Sequence, residues 1–216
     1  GKSTRQSISI FYLVEPDELY PFIKLNFVFL TALKAEAVPI IDRFGLVKNS
    51  KTHLYQNNKM MLFITGVGKE KTKNRLIGII PFLKGLGQIV IINIGIAGGN
   101  PKNTILGEIY LIRSITDDES HELVFPDRLE NHSFNEIELT TVSKGVTDYG
   151  KQFDGLVDME ASVIYEVMTK KVSPYRMVFL KVVSDHMDSA DWTSIDATGL
   201  IVKHLNSIKT HVIKAI

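Results

Sequence analysis

The chain contains no cysteine, which excludes a disulfide framework, a thiolate metal site and a cysteine nucleophile. That absence fits a reducing compartment. An excess of one charge sign is missing too: 25 Lys and Arg against 24 Asp and Glu leave a formal net charge of +1. Nothing in that balance calls for nucleic acid or an anionic membrane as partner. No apolar run approaches the ~18 residues of a membrane-spanning helix. Ile8 to Val14 is too short, and its flanks too acidic, for a signal peptide, so a cytoplasmic protein is expected. The six histidines (His53, His121, His132, His186, His204 and His211) lack metal-ligand spacing. Asp185, Asp188 and Asp191 lack the calcium-loop pattern. Neither a metal nor another cofactor is expected.

Two glycine-rich segments imitate nucleotide motifs without meeting their terms. Gly66-Val67-Gly68-Lys69 would be a phosphate loop only with Gly at position 63 and Ser or Thr at 70, where Phe63 and Glu70 stand. Gly95 to Gly99 has the wrong glycine spacing for a dinucleotide fingerprint, and a strand rather than a helix is expected after it. The basic group Lys69, Lys71, Lys73 and Arg75 reads as a solvated helix face.

What is present is a chain of 216 residues, 44% hydrophobic and 23% charged, enough for one domain with a full core. Residues 1–23, punctuated by Pro16 and Pro21, read as an N-terminal extension, and residues 24–216 as a single domain. Leu25 to Leu33, Met60 to Thr65, Ile89 to Ile94, Ile109 to Ile112 and Met177 to Val183 are apolar runs of strand length, with Glu138 to Ser143 as a shorter strand. Between them, helical spacing joins Ala37, Ile40, Ile41 and Phe44, with Pro39 expected in the first turn. The same spacing joins Leu76, Ile79, Ile80 and Leu83, then Val163, Ile164 and Val167, and finally Ile201, Leu205, Ile208 and Val212. Residues 117–136 read as a loop excursion. Strands alternating with helices predict a three-layer α/β/α sandwich around a central mixed sheet.

Three acids fall at the ends of these elements: Glu36 after the first strand, Glu160 at a helix start, and Asp185 after the last strand. Ligands in such sheets bind outside the strand ends, and carboxylates gathered there suit acid/base work on a polar organic substrate. Each has a plainer reading. An acid at a helix start gains ~0.3–1 kcal/mol from the dipole, and Asp185 fits a turn cap.

Five segments in order resemble the purine-nucleoside/uridine phosphorylase superfamily, nearest its 5′-methylthioadenosine/S-adenosylhomocysteine nucleosidases. They are Ala32-Leu33-Lys34-Ala35-Glu36, Thr65-Gly66-Val67-Gly68-Lys69, Asn93 to Gly99, Val157-Asp158-Met159-Glu160-Ala161 and Val183-Ser184-Asp185. The resemblance implies cleavage of the N-glycosidic bond of a purine nucleoside. Water is the nucleophile in the nucleosidases and phosphate in the phosphorylases; phosphate is not favoured here, because Asn93 stands where phosphorylases place an arginine. It implies that Glu36 polarises the water, Asp185 protonates N7 with help from Ser184, and Met159 and Glu160 hold the ribose. Gly66, Gly68, Ala97 and Gly98 would floor the pocket, with Asp158, Ile96 and Lys181 beside it. Two positions depart from the pattern: Ile96 where the family has serine, and Lys181 where the nucleosidases carry an arginine. The segment between Ile112 and Ser143, which supplies contacts to the base and the 5′ substituent in relatives, is shortened. A nucleoside-binding protein without turnover is the third reading. The resemblance also implies a homo-oligomer, dimer or hexamer.

Overall fold

The computed structural model describes residues 25–50, 54–126, 129–189 and 191–214. The expected extension over residues 1–23 and His53 lie outside the described residues. The sheet is organised around β1 (Leu25–Thr31), which is buried from Asn26 to Thr31. It pairs in parallel with β4 (Met60–Ile64) on one side and with β5 (Gln88–Gly99) on the other. β10 (Met177–Asp185) lies parallel along the far side of β5. β6 (Ile109–Asp117) runs antiparallel to β10 and parallel to β8 (Asn135–Thr141). A short β9 (Leu156–Asp158) then joins β8 in parallel and meets Gly98 and Gly99 of β5 antiparallel. Pairing that leaves β5 through β10 therefore returns to it through β9. The small strands β2 (Val47–Lys48) and β3 (Tyr55–Gln56) extend the β4 edge, and β7 (Leu123–Val124) pairs with β6 inside the expected loop excursion.

The near-continuous apolar strands follow from burial on both faces. Along β5, Val90, Ile92 and Ile94 pack with α1 (Lys34–Phe44), α4 (Ala197–Val202) and α5 (Leu205–Ile208). On the other face Ile89, Ile91 and Ala97 pack with α2 (Lys69–Leu83) and α3 (Ala161–Met168). The architecture is a mixed α/β fold with a central mixed sheet.

Three local expectations are corrected. The strand expected over Ile89 to Ile94 does not end there but runs on through Gly95 to Gly99, giving β5 twelve residues. The glycines are tolerated there because side chains crowd against them from three directions. The final helix is broken into α4, α5 and a π turn over Lys209–Ile213, although Ile201, Leu205, Ile208 and Val212 are all buried as expected. Pro39 sits in the interior of α1, not in its first turn. A proline there cannot donate to the carbonyl four residues back, and the Ala35 oxygen is taken instead by Thr198 Oγ1 at 2.7 Å. Thr198→Val should therefore lower stability by about 1 kcal/mol. Urea denaturation reads this directly, and an unchanged midpoint would show that solvent satisfies the carbonyl equally well.

Candidate active site

Chain segments from the ends of β1, β5, β9 and β10 surround one cavity of about 340 Å³. Glu36, Glu160 and Asp185 all line it, with Ile96, Ala97, Gly98, Asp158, Met159 and Ser184 between them.

Glu36 occupies the third position of α1, where its side chain folds back over the helix start. Its Oε2 accepts the Ala32 and Leu33 N–H groups at 2.9 Å each. Leu33 has no side-chain oxygen to return the favour, so only half a capping box forms. Oε1 accepts a third N–H, from Ile96 of β5, at 2.9 Å. Burial pushes this carboxyl above its ordinary range, against the pull of the three amides and of Lys181. One oxygen lone pair on Oε1 remains for a ligand. Gly95 makes the arrangement possible, since a Cβ there would stand 3.0 Å from Glu36 Oε1 and 3.5 Å from Lys181 Nζ. Ile96 does not plug the cavity. It borders the space while its backbone, not its side chain, holds Glu36.

Glu160 precedes Ala161, yet its carboxylate makes no bond to its own helix. It reaches across to α2, where Oε1 accepts the Gly68 N–H at 2.8 Å. The start of α3 is capped by Asp158, whose Oδ2 accepts the Ala161 N–H at 3.0 Å. Asp158 is fully engaged: Oδ1 also accepts from Thr141 Oγ1 at 2.7 Å, and Oδ2 lies 2.9 Å from Lys181 Nζ. Both members of that ion pair are almost wholly buried. Burial, with the neighbouring Asp158 charge, pushes the Glu160 carboxyl up to about 7, against Lys181 and the Gly68 amide.

A carboxyl with a folded value above its ordinary 4.5 binds its proton more tightly in the native state. Its contribution to stability is present in full below about pH 4.5 and is lost as pH rises through about 7. Glu160→Gln should flatten that part of the stability profile. Thermal unfolding between pH 4.5 and 8 checks this, and an unaltered slope in the variant would assign the dependence to another group.

Asp185 reaches the cavity through a register slip in β10. Val183 pairs with Ala97 and Asp185 with Gly98, leaving Ser184 as the extra residue, and such a bulge re-aims side chains at a strand end. Asp185 Oδ1 accepts the Met187 N–H at 2.8 Å, and Oδ2 accepts from Ser184 Oγ at 2.7 Å. Ser184 Oγ also lies 3.2 Å from the Ala97 carbonyl. A Cβ at position 98 would press to 2.7 Å from Met187 Cγ, so Gly98 keeps this turn in place.

Three expected pocket residues lie elsewhere. Gly66, at φ +85°, is covered by the Lys71 side chain and borders an adjoining groove. Gly68 acts through its N–H on Glu160. Lys181, only 2% exposed, lies beneath the cavity against Asp158. The basic group on α2 is also only partly a solvated face: Lys69 bridges Asp117 at 2.9 Å and Glu119 at 3.2 Å, and Lys73 meets Glu166 at 3.1 Å. Conversely, Val142, Val146 and Met187 line the cavity without having been anticipated. Val146 and Met187 come from irregular segments with no periodicity to mark them. Among the described residues, no three His, Asp or Glu side chains converge to hold a metal.

No protein-family model and no curated protein sequence matches the chain. Solved structures do. The 5′-methylthioadenosine/S-adenosylhomocysteine nucleosidase of Helicobacter pylori, in complex with butyl-thio-DADMe-Immucillin-A, superposes with a TM-score of 0.71 at 16% identity, over 89% of this chain and 99% of that one. The Arabidopsis thaliana 5′-methylthioadenosine nucleosidase gives 0.71 at 20% identity, over 89% and 94%. The futalosine hydrolase of Helicobacter pylori gives 0.62 at 15%, over 89% and 97%. The chain has the fold of these nucleosidases over nearly its whole described length.

Proposed function

We propose that the protein hydrolyses the N-glycosidic bond of a purine nucleoside of the adenosine type, releasing the base. The observation that carries this reading is the meeting of Glu36, Glu160 and Asp185 in one cavity, whose volume lies within the ~300–1,000 Å³ range of small-molecule sites. The fold shared with nucleosidases from several organisms supports it. On the same ground we take the two helix sets as the outer layers of an α/β/α sandwich, and the protein as a cytoplasmic homo-oligomer, dimer or hexamer.

Cleavage builds positive charge on the sugar and negative charge on the departing base. Asp185, in its acid form, gives its proton to N7 as the C1′–N9 bond breaks and the bonding pair leaves with the purine. Ser184 has a single hydroxyl hydrogen for two acceptors, the Ala97 carbonyl and Asp185 Oδ2. A carboxyl proton on Asp185 would complete both contacts. Glu36 uses its remaining lone pair to hold the attacking water and to take its proton as oxygen bonds to C1′. Glu160 accepts the ribose hydroxyls, and its ionised form, with Glu36, stabilises the cationic sugar. Met159 borders the ribose. Asp158 and Lys181 hold these groups in position and do not touch substrate. Asn93 is buried and donates its amide to the Leu30 carbonyl at 3.0 Å, so it offers no phosphate contact, which supports water as nucleophile.

The test is incubation with 5′-methylthioadenosine, S-adenosylhomocysteine, adenosine and inosine, with and without phosphate, followed by measurement of free base. Adenine released without phosphate is the expected result. Strict phosphate dependence would replace hydrolysis by phosphorolysis, and binding without release would leave a nucleoside-binding protein.

A further inference from the structure

The two carboxylates at the sugar end are held in different ways. Glu36 takes three amides, two of them from its own helix start. Among the described residues Glu160 takes one, from Gly68, 92 positions earlier in the chain. Its aim therefore depends on how the start of α2 is set against the start of α3. One side chain ties these two starts together. Asp117, the last residue of β6, accepts from Ser162 Oγ on its Oδ2 at 2.6 Å, and the same oxygen lies 2.9 Å from Lys69 Nζ. Ser162 stands in the first turn of α3, just beyond Glu160, and Lys69 opens α2 directly after Gly68. Asp117 is itself fixed, because its Oδ1 accepts the Glu119 and Ser120 N–H groups at 3.1 and 3.0 Å. Burial presses its carboxyl upward, but Lys69, Ser162 and those two amides prevail and hold it well below the usual carboxylate range. It is thus an anion when it makes both contacts. Neither Asp117, Lys69 nor Ser162 borders the cavity.

Gly68 has little else to hold it. It sits at φ +92°, with no atom within 4 Å of where a Cβ would stand. Glu119 also meets Lys69, at 3.2 Å, but its side chain is 65% exposed against 15% for Asp117, and exposed pairs of that kind contribute little. Lys73 and Glu166 join the same two helices farther along, again at an exposed contact. We propose that Asp117 is a positioning residue for Glu160: by gripping Lys69 and Ser162 together it keeps the Gly68 amide on the carboxylate and the carboxylate turned toward the ribose. The inference rests on the nucleosidase reading above and goes beyond it by adding a residue outside the cavity on which turnover depends.

The experiment compares Asp117→Asn, Lys69→Met and Lys69→Arg with the unaltered chain, and Lys73→Met controls for loss of a cation from α2. With 5′-methylthioadenosine, kcat/KM should fall by roughly 10²-fold in Asp117→Asn and Lys69→Met, the cost of a displaced catalytic group. It should recover in Lys69→Arg and stay unchanged in Lys73→Met. In a Glu160→Gln background, Asp117→Asn should cost no more than about twofold further, since a residue acting through Glu160 has nothing left to position. The pH profile separates positioning from charge. Asp158, Lys181 and Glu36 face Glu160 and are unaltered in Asp117→Asn. Loss of the Gly68 amide, which lowers the Glu160 carboxyl, moves the acidic limb to higher pH. Removal of the Asp117 charge through space alone would move it to lower pH. A limb that stays or moves down, or a loss fully additive with Glu160→Gln, would overturn the proposal while hydrolysis stands. If no nucleoside is cleaved, the nucleosidase reading fails, and the NMR resonance of the Gly68 amide decides this one. That resonance should follow the titration of Glu160 at about pH 7 in the unaltered chain and lose the step in Asp117→Asn; a step that the variant keeps ends the proposal. Should Asp117→Asn unfold, the Glu160→Gln cycle and the Gly68 resonance are read in Lys69→Met, with the same outcomes for and against.

Discussion

Asp185→Asn should lower base release by roughly 10²–10⁴-fold, the span that a positioned general acid contributes. The amide keeps the size of the carboxyl and can still accept the Met187 N–H through Oδ1. What it loses is a transferable proton. Bond cleavage would then have to expel the base with its full negative charge. Substrate binding should change far less than turnover, because the lost interaction is needed chiefly in the transition state. Measured kcat and KM separate these effects, and a variant retaining more than half of its turnover would remove Asp185 from the proton-transfer step. Solubility and thermal unfolding serve as the control for misfolding.

Lys181→Met should have the largest effect on stability, about 3–5 kcal/mol, because it breaks a buried ion pair and leaves the Asp158 carboxylate uncompensated. Burial presses the Lys181 ammonium toward its neutral form, but Asp158, Glu160 and Glu36 around it prevail and raise its value. Methionine keeps the length of the stem and removes the charge. Adding Asp158→Asn should recover part of the loss, since the amide can still accept from Thr141 Oγ1 and Ala161 N–H. Equilibrium denaturation of the single and double variants forms the test. A single variant within 1 kcal/mol of the unaltered chain would mean that the buried charges compensate one another by another route. The functional companion of this effect is a shift in pH dependence. Without the lysine cation, the Glu160 carboxyl rises further, and the acidic limb of the pH–rate profile should move to higher pH.

Much of the fold was legible because doubly buried strands write themselves as apolar runs. Phe27 to Leu30, Ile89 to Ile94 and Met177 to Val183 each lie within an observed strand, and the apolar helix positions face the core. Glu36, Glu160 and Asp185 were legible as acids at element ends. What escaped was whatever depends on partners distant in the chain. The continuation of β5 through Gly95 to Gly99 is dictated by β9 and β10, and the three-residue β9 carries too little pattern to announce itself. The bulge that turns Ser184 and Asp185 inward is a matter of register, which no property of Val183-Ser184-Asp185 alone encodes. The resemblance implies Gly66, Gly68, Ala97 and Gly98 as the pocket floor, and the glycine spacing also reads as a tight turn before a helix. The positive φ values of Gly66 and Gly68, +85° and +92°, shape that turn into α2, while their place off the pocket floor, one under Lys71 and the other offering an amide to Glu160, is set by distant partners. Ile96 looked like a loss of chemistry because side chains are what a sequence displays, whereas the contact to Glu36 is made by its backbone.

The double engagement of β5 has a consequence for how the molecule comes into being. Met177 must find Ile91, and Asp185 must find Gly98, across a long intervening stretch of chain. Contacts of such wide sequence separation form slowly, since loop closure has to precede any reward from pairing. On the ribosome, β1, β4 and β5 can assemble early, but Asp185 cannot reach the cavity until β10 emerges. Completion of the proposed site, and with it any base release, should therefore be the final property to appear during synthesis or refolding, well after most helical signal has returned.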